Sequence, residues 1–225
     1  MNFIKCLFGN TGRRLSVNEG IKLTMNAPYP HEFKCFTYGT ENHKQLIDLG
    51  INSILVCDEP YMFPENQLWA HKIYAWLRGN CYRNFIYSDW DVIQTKPLPN
   101  KFDELLSKHT FLASLRQYHK PKCTWRSDHQ RKTPCASFLY FGNQKVVQDI
   151  WELWEKMGKP RKEEAVLAKY TDINNELDLD YYYNVFDSHN FFYLKNESIF
   201  KENVEPLFRH YNRQGIPKFL KRLAK

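Results

Sequence analysis

Along the first hundred positions, short apolar runs alternate with polar stretches whose apolar residues recur at helical spacing, a rhythm that predicts strands alternating with helices. Residues 3–8 read as a strand. Ser16, followed three residues later by Glu19, has the form of a capping box that opens a helix running to about Met25. Residues 33–37 read as a second strand, 42–49 as a short helix stopped by Gly50, and 51–57 as a β-rich strand. Between 67 and 78, Trp69, Ile73, Trp76 and Leu77 form one helical face, with Gly79 as the stop. Phe85, Ile86 and Tyr87 then supply another strand. This alternation predicts an α/β fold, with a mostly parallel central sheet flanked by helices and ligand at the carboxyl ends of its strands.

The second half is less regular. Residues 111–115 and 136–141 look like strands, the latter turned by Gly142 and Asn143, and Val147, Ile150, Trp151 and Trp154 share one face of a helix ending at Gly158. A long polar insertion lies between those strands. Residues 181–185 and 191–194 are further strand candidates, and the tail from 209 to 225 is strongly basic. Trp69, Trp76, Trp151 and Trp154 read as core. There is no internal repeat, low-complexity segment or linker, and 225 residues with 43% hydrophobic content suit one domain. No apolar run is long enough to span a membrane, and the opening MNFIKCLFGN lacks the form of a signal peptide, which predicts a cytoplasmic protein. Six cysteines without CxxC spacing fit reduced thiols.

Chemistry concentrates in FIYSDWDVIQTKPLP, residues 85–99, where the apolar strand runs into Asp89 and Asp91 and then turns apolar again at Val92 and Ile93. Two carboxylates on one edge repel unless a positive charge lies between them. A hard divalent cation, Mn or Mg, suits them, since it takes oxygen ligands and shares them with phosphate. A second Asp-x-Asp, Asp178 and Asp180, competes on spacing alone, but follows the polar stretch TDINNE rather than an apolar strand. His119, Cys123, His129 and Cys135 are zinc-ligand types within one loop, in a spacing that matches no established finger.

The DxD segment resembles the nucleotide-sugar-binding region of GT-A glycosyltransferases. Other landmarks follow in the same order: FKCFTYGTEN at the second strand and its turn, LWAHKIYAW (68–76) like a Trp-x-x-Lys helix, and RKEEAVLAKY (161–170) like an acidic helix start. The resemblance implies one glycosyltransferase domain over 1–225, its nucleotide-sugar-binding half at 1–100 and its acceptor-side half, with basic loop and tail, at 101–225. It implies transfer from a nucleoside diphosphate sugar, a UDP-sugar by first reading, with Asp89 and Asp91 as metal ligands. Phe8, Gly9, Asn10, Thr37 and Tyr38 stand at the ends of the first two strands, where the nucleoside is expected, Tyr38 being able to stack on uracil. Lys72 matches the family lysine on the donor side; otherwise it is a snorkelling side chain.

His210, Gly215 and Lys218 are the nearest match to a His-x-x-Gly-x-x-Lys pattern that completes the metal shell and meets phosphate, at longer intervals than the pattern has. His210 reads equally as a tail histidine. Glu164 is the matched base for an inverting reaction, and equally reads as charge complementing a helix dipole. A retaining reaction would give it another role.

For the acceptor, charge changes the picture. Arg116, Lys122, Arg126, Arg131 and Lys132, interleaved with Tyr118 and Trp125, join the basic tail in a chain of formal net charge +7, which favours a polyanionic partner. The first reading is transfer to hydroxymethylated pyrimidines of phage DNA, with the base flipped out to reach the donor. The alternatives are a surface-polysaccharide glycosyltransferase, a metal-dependent nuclease and a non-catalytic nucleic-acid-binding protein.

Overall fold

The computed structural model describes residues 1–9, 15–95, 97–98, 100–107, 109–116, 133–174, 181–186, 189–194 and 208–211. Strand β1 (Phe3–Leu7) is buried at every position. It pairs in parallel with β2 (Lys34–Tyr38) on one side and β4 (Phe85–Ser88) on the other. Continuous burial, rather than alternation, is what a strand covered on both faces requires. β3 (Asn52–Cys57) extends the parallel set beyond β2. Beyond β4, β7 (Thr133–Phe141) runs antiparallel, and β6 (Phe111–Arg116) reverses again, giving the order β3-β2-β1-β4-β7-β6. The expected α/β domain with a mostly parallel sheet is therefore present.

Alternation along each strand sends side chains to two layers. On one face Ile4, Cys6, Phe36, Phe85 and Tyr87 pack with α3 (Ala70–Gly79), α5 (Gln144–Lys156) and α6 (Glu163–Asn174) through Ile73, Trp76, Ile150, Trp154, Val166 and Leu167. On the other, Leu7 and Cys35 meet Ile21 of α1 (Leu15–Met25) and Leu46 of α2 (Thr40–Asp48), with Trp90 completing that cluster. Phe3, Ile86, Leu112 and Phe138 face α4 (Phe102–Leu106) and Phe208. Trp76 and Trp154 are core residues, and Trp69 and Trp151 pack against the same cluster, as expected. Cys6, Cys35, Cys57 and Cys81 are free thiols.

Two sequence expectations need correction. Ser16 lies inside α1, which begins at Leu15, so it is not the residue preceding the helix. Gly79 is the last residue of α3, not a stop beyond it, and a Cβ there would meet Ile4 Cδ1 at 2.8 Å. A second, antiparallel sheet, β5-β10-β9-β8, was not anticipated. Its members are β5 (Val92–Gln94), β10 (Phe208–Tyr211), β9 (His189–Leu194) and β8 (Tyr181–Phe186). Strands of three or four residues carry too little period to be read locally, and β10 takes its partner from far along the chain. Among the described residues no helix is long and apolar enough to cross a membrane.

Candidate active site

After β3 the chain crosses back through α3 to enter β4 on the far side of β1, so strand order reverses between β1 and β4. The carboxyl ends of strands at such a reversal open a crevice. Asp89 follows directly on Ser88, the last residue of β4. The turn through Asp91 is anchored by its middle residue: Trp90 is buried and its Nε1 donates to the Cys6 carbonyl at 2.9 Å. The Trp90 carbonyl accepts from Thr24 Oγ1 at 3.0 Å, and its ring stands edge-on to Phe33. The Asp89 N–H donates to the Ser137 carbonyl at 2.8 Å, while the Asp89 carbonyl accepts from the Val92 N–H at 3.1 Å. With Trp90 taken into the core, Asp89 and Asp91 are left at the rim, both partly exposed. Helix α1 comes this close only because position 20 is glycine, where a Cβ would lie 2.8 Å from Trp90 Cβ.

Lys72 is not a snorkelling side chain. Its ammonium lies 2.7 Å from Asp89 Oδ2 and 3.4 Å from Glu163 Oε1, with all but 9% of the side chain buried. Burial works to lower its pKa, but the carboxylates of Asp89 and Glu163 outweigh it and hold the ammonium above the ordinary lysine value. The Tyr87 hydroxyl donates to the other oxygen of Asp89 at 2.6 Å. Burial, then the Asp89 charge, raise that phenol's pKa, so it stays a donor. Glu163 opens α6, and burial pushes its carboxyl up to about 7 against the pull of Lys72.

A second lysine reaches the turn from the opposite face of the sheet. Lys5 is fully buried in β1, and its ammonium donates to Ser88 Oγ at 3.0 Å and to the Asp89 carbonyl at 2.9 Å. Burial pushes it down to about 8, opposed by the charges of Asp89 and Asp91. Lys5, Tyr87 and Glu163 are all additions to the residues singled out from sequence. A lysine inside the apolar run FIKCLF is a signal for the first. Glu163 was legible only as one of an adjacent acidic pair. It is the member that meets Lys72; Glu164 beside it is partly exposed.

The described residues expected to meet a nucleoside are engaged in contacts within the fold. Tyr38 is fully buried, donates its hydroxyl to the His71 carbonyl at 3.0 Å and packs edge-on to the His71 ring, so it offers no face to a base. Burial raises its pKa. Phe8 stacks on His71 at 4.5 Å inside the core. Thr37 is buried and its hydroxyl meets Ser53 Oγ at 2.7 Å. Gly9, at φ 83°, donates its N–H to the Pro60 carbonyl and accepts from Asn42 Nδ2. These contacts bind the ends of β1 and β2 to one another and to the loop after β3. Helix α3 supplies His71 to that junction, a contact invisible in any local stretch of sequence.

Asn10, Lys218, Asp178, Asp180, Tyr118, Lys122, Trp125, Arg126, Arg131 and Lys132 lie outside the described residues, as do Gly215, His119, Cys123 and His129. Arg116 closes β6. His210 falls in β10, in register with Val92 of β5, one residue beyond Asp91.

For a divalent cation, the described donors fit in type. Asp89 and Asp91 present carboxylate oxygens, the donor type a hard cation takes, at one rim. Among the described residues no group of three or more His, Cys, Asp or Glu side chains completes a shell. A cavity of about 520 Å³ lined by Phe3, His31, Phe33, Lys34, Tyr82 and Gln94, among others, includes none of Asp89, Asp91, Lys72 or Glu163. The convergence of charged groups, rather than cavity size, marks the site.

The fold is that of GT-A glycosyltransferases. An active-site mutant of LgtC matches with a TM-score of 0.56, 14% identity, and coverage of 100% of this chain and 95% of that one. Mouse xyloside xylosyltransferase 1 matches with a TM-score of 0.50, 8% identity, and coverage of 83% and 86%. The glycosyltransferase GlyE of Streptococcus pneumoniae matches at 0.47 and 14% identity over 78% of this chain, which spans 44% of GlyE. No family model and no curated protein matches the sequence.

Proposed function

We propose that the protein transfers a glycosyl group from a nucleoside diphosphate sugar, a UDP-sugar by first reading, to a hydroxyl acceptor, with Mn2+ or Mg2+ held by Asp89 and Asp91. The observation that carries this is the placement of the charged network, Lys72 between Asp89 and Glu163, at the carboxyl end of β4 where strand order reverses. The likeness of the fold to mouse xyloside xylosyltransferase 1 agrees with it.

In the reaction the bond between the anomeric carbon and phosphate oxygen breaks, charge builds on the diphosphate, and the acceptor oxygen forms the new bond while losing its proton. A bound divalent cation would supply Lewis-acid neutralisation of that diphosphate. Asp89 and Asp91 would hold it, and the register of β10 on β5 supports His210 as a further ligand. Lys72 supplies a fixed positive charge beside the same carboxylate and orients it together with Tyr87. For an inverting reaction, Glu163 joins Glu164 as a candidate base, since a carboxyl raised to about 7 is matched to proton transfer near neutrality. For the acceptor we propose hydroxymethylated pyrimidines in DNA, a reading supported by the net charge of +7 and the basic stretch between Arg116 and Lys132.

Thermal unfolding with UDP and Mn2+ tests the donor reading. At a hundredfold excess over Kd the pair should stabilise the folded state by about 2.7 kcal/mol, a rise in Tm of roughly 5–10 °C. Asp91→Asn should abolish the rise while leaving the unliganded Tm near that of the parent. A full rise in the presence of EDTA, or in the variant, would refute metal-assisted donor binding at this turn.

A further inference from the structure

The middle of β1 holds a lysine where the fold calls for an apolar residue. Phe3 and Leu7, the residues two before and two after it on the same face, belong to separate hydrophobic clusters, and Lys5 lies between them with no solvent exposure. Leucine or methionine would fill such a position without the several kcal/mol that a desolvated ammonium costs when its partners are imperfect. The partners found for it are therefore informative. An ammonium has three donors. Here they face Ser88 Oγ at 3.0 Å and the Asp89 carbonyl at 2.9 Å, while the Phe33 and Trp90 rings stand 5.4 and 5.6 Å away. Every one of the four belongs to the Asp89 turn or packs against it.

We propose that Lys5 is a positioning residue for the Asp89 and Asp91 carboxylates, fixing the turn from the sheet face opposite Lys72. The inference rests on the donor-binding reading above. The Asp89 carbonyl closes the turn by accepting from the Val92 N–H, and Lys5 binds that same oxygen, so peptide orientation and the exit directions of both aspartates are set together. Lys72 binds the Asp89 side chain, whereas Lys5 binds the backbone beneath it. The site is then assembled in advance rather than gathered by the ligand.

The test compares the parent with Lys5→Met, Ser88→Ala and the double variant, measuring Mn2+ affinity alone, UDP affinity with Mn2+, and Tm. Lys5→Met should keep its Tm within a few degrees, since methionine occupies similar volume and removes a buried charge, yet weaken Mn2+ binding roughly 10- to 100-fold. Ser88→Ala should weaken it less, roughly 2- to 10-fold. In the double variant the serine change should add nothing further, because both act through one ammonium. A folded Lys5→Met protein with parental Mn2+ and UDP affinity overturns the proposal, and so do effects that simply multiply. Should Lys5→Met not fold, Ser88→Ala decides, and unchanged affinity there overturns the proposal. A parent protein that binds neither Mn2+ nor UDP overturns this inference and the donor-binding reading together; parental binding with an indifferent Lys5 overturns this inference alone.

Discussion

At the scale of single residues, the site is a balance of buried charges. Lys72 lies 2.7 Å from Asp89 and 3.4 Å from Glu163, and removing Asp89 or Lys72 from the closer pair leaves a desolvated charge behind. Glu163 gives this balance a pH signature. Its folded pKa, about 7, lies above the ordinary 4.5, so the folded state holds the proton more tightly than the unfolded chain does. The stability this contributes is complete below pH 4.5 and is lost progressively as pH rises to about 7. Glu163→Gln mimics the neutral form, so its Tm relative to the parent should climb across that window and level off above it. Tm curves for both proteins from pH 4 to 8 check this, and parallel curves would contradict it.

Among the elements, α1 has the least obvious part. It supplies Thr24 to the Trp90 carbonyl and comes against the turn at Gly20. Alanine at 20 would gain about 0.5–1 kcal/mol in helix propensity. The added methyl, 2.8 Å from Trp90 Cβ and 3.3 Å from the Trp90 carbonyl carbon, would cost about 1–3 kcal/mol by overpacking. Overpacking wins, and the strain falls on the turn that carries the aspartates. Gly20→Ala should therefore lower Tm by a few degrees and weaken UDP and Mn2+ binding severalfold. A variant more stable than the parent, with parental affinity, would show that α1 yields rather than the turn. The short pair β5 and β10 has a comparable role, since it ties the residues just after Asp91 to a strand near the carboxyl terminus.

For the whole molecule, a net charge of +7 is a long-range property that no single contact expresses. If DNA is the acceptor, binding should fall steeply with salt, with a log–log slope of about −0.9 for each phosphate neutralised. Charge reversal at Arg126, Arg131 and Lys132 should flatten that slope and reduce DNA-dependent transfer while leaving UDP and Mn2+ binding intact. Titrations of duplex DNA between about 50 and 200 mM salt measure the first effect. Hydroxymethylcytosine, hydroxymethyluracil and unmodified DNA offered with a panel of UDP-sugars measure the second. Transfer to none of them by a protein that binds its donor would redirect the acceptor to glycan hydroxyls.

What the sequence determined by itself is the succession of elements through residue 88, the presence of β6, β7, α5, β8 and β9 beyond it, and the emergence of two aspartates at the end of an apolar strand. All are local: burial on one or both faces dictates which residues repeat, at a period of two, of three to four, or without a break. Tertiary structure decided everything that depends on strand order and register. It placed Lys5 and Lys72 on opposite faces of one turn, set Glu163 beside Lys72, and seated His210 across from Val92. It also buried Tyr38 in the core, because α3 carries the His71 carbonyl to the tyrosine hydroxyl. Such pairs meet across elements far apart in the chain, and their energy comes from desolvation and hydrogen bonding at the meeting point. No window of sequence contains that point.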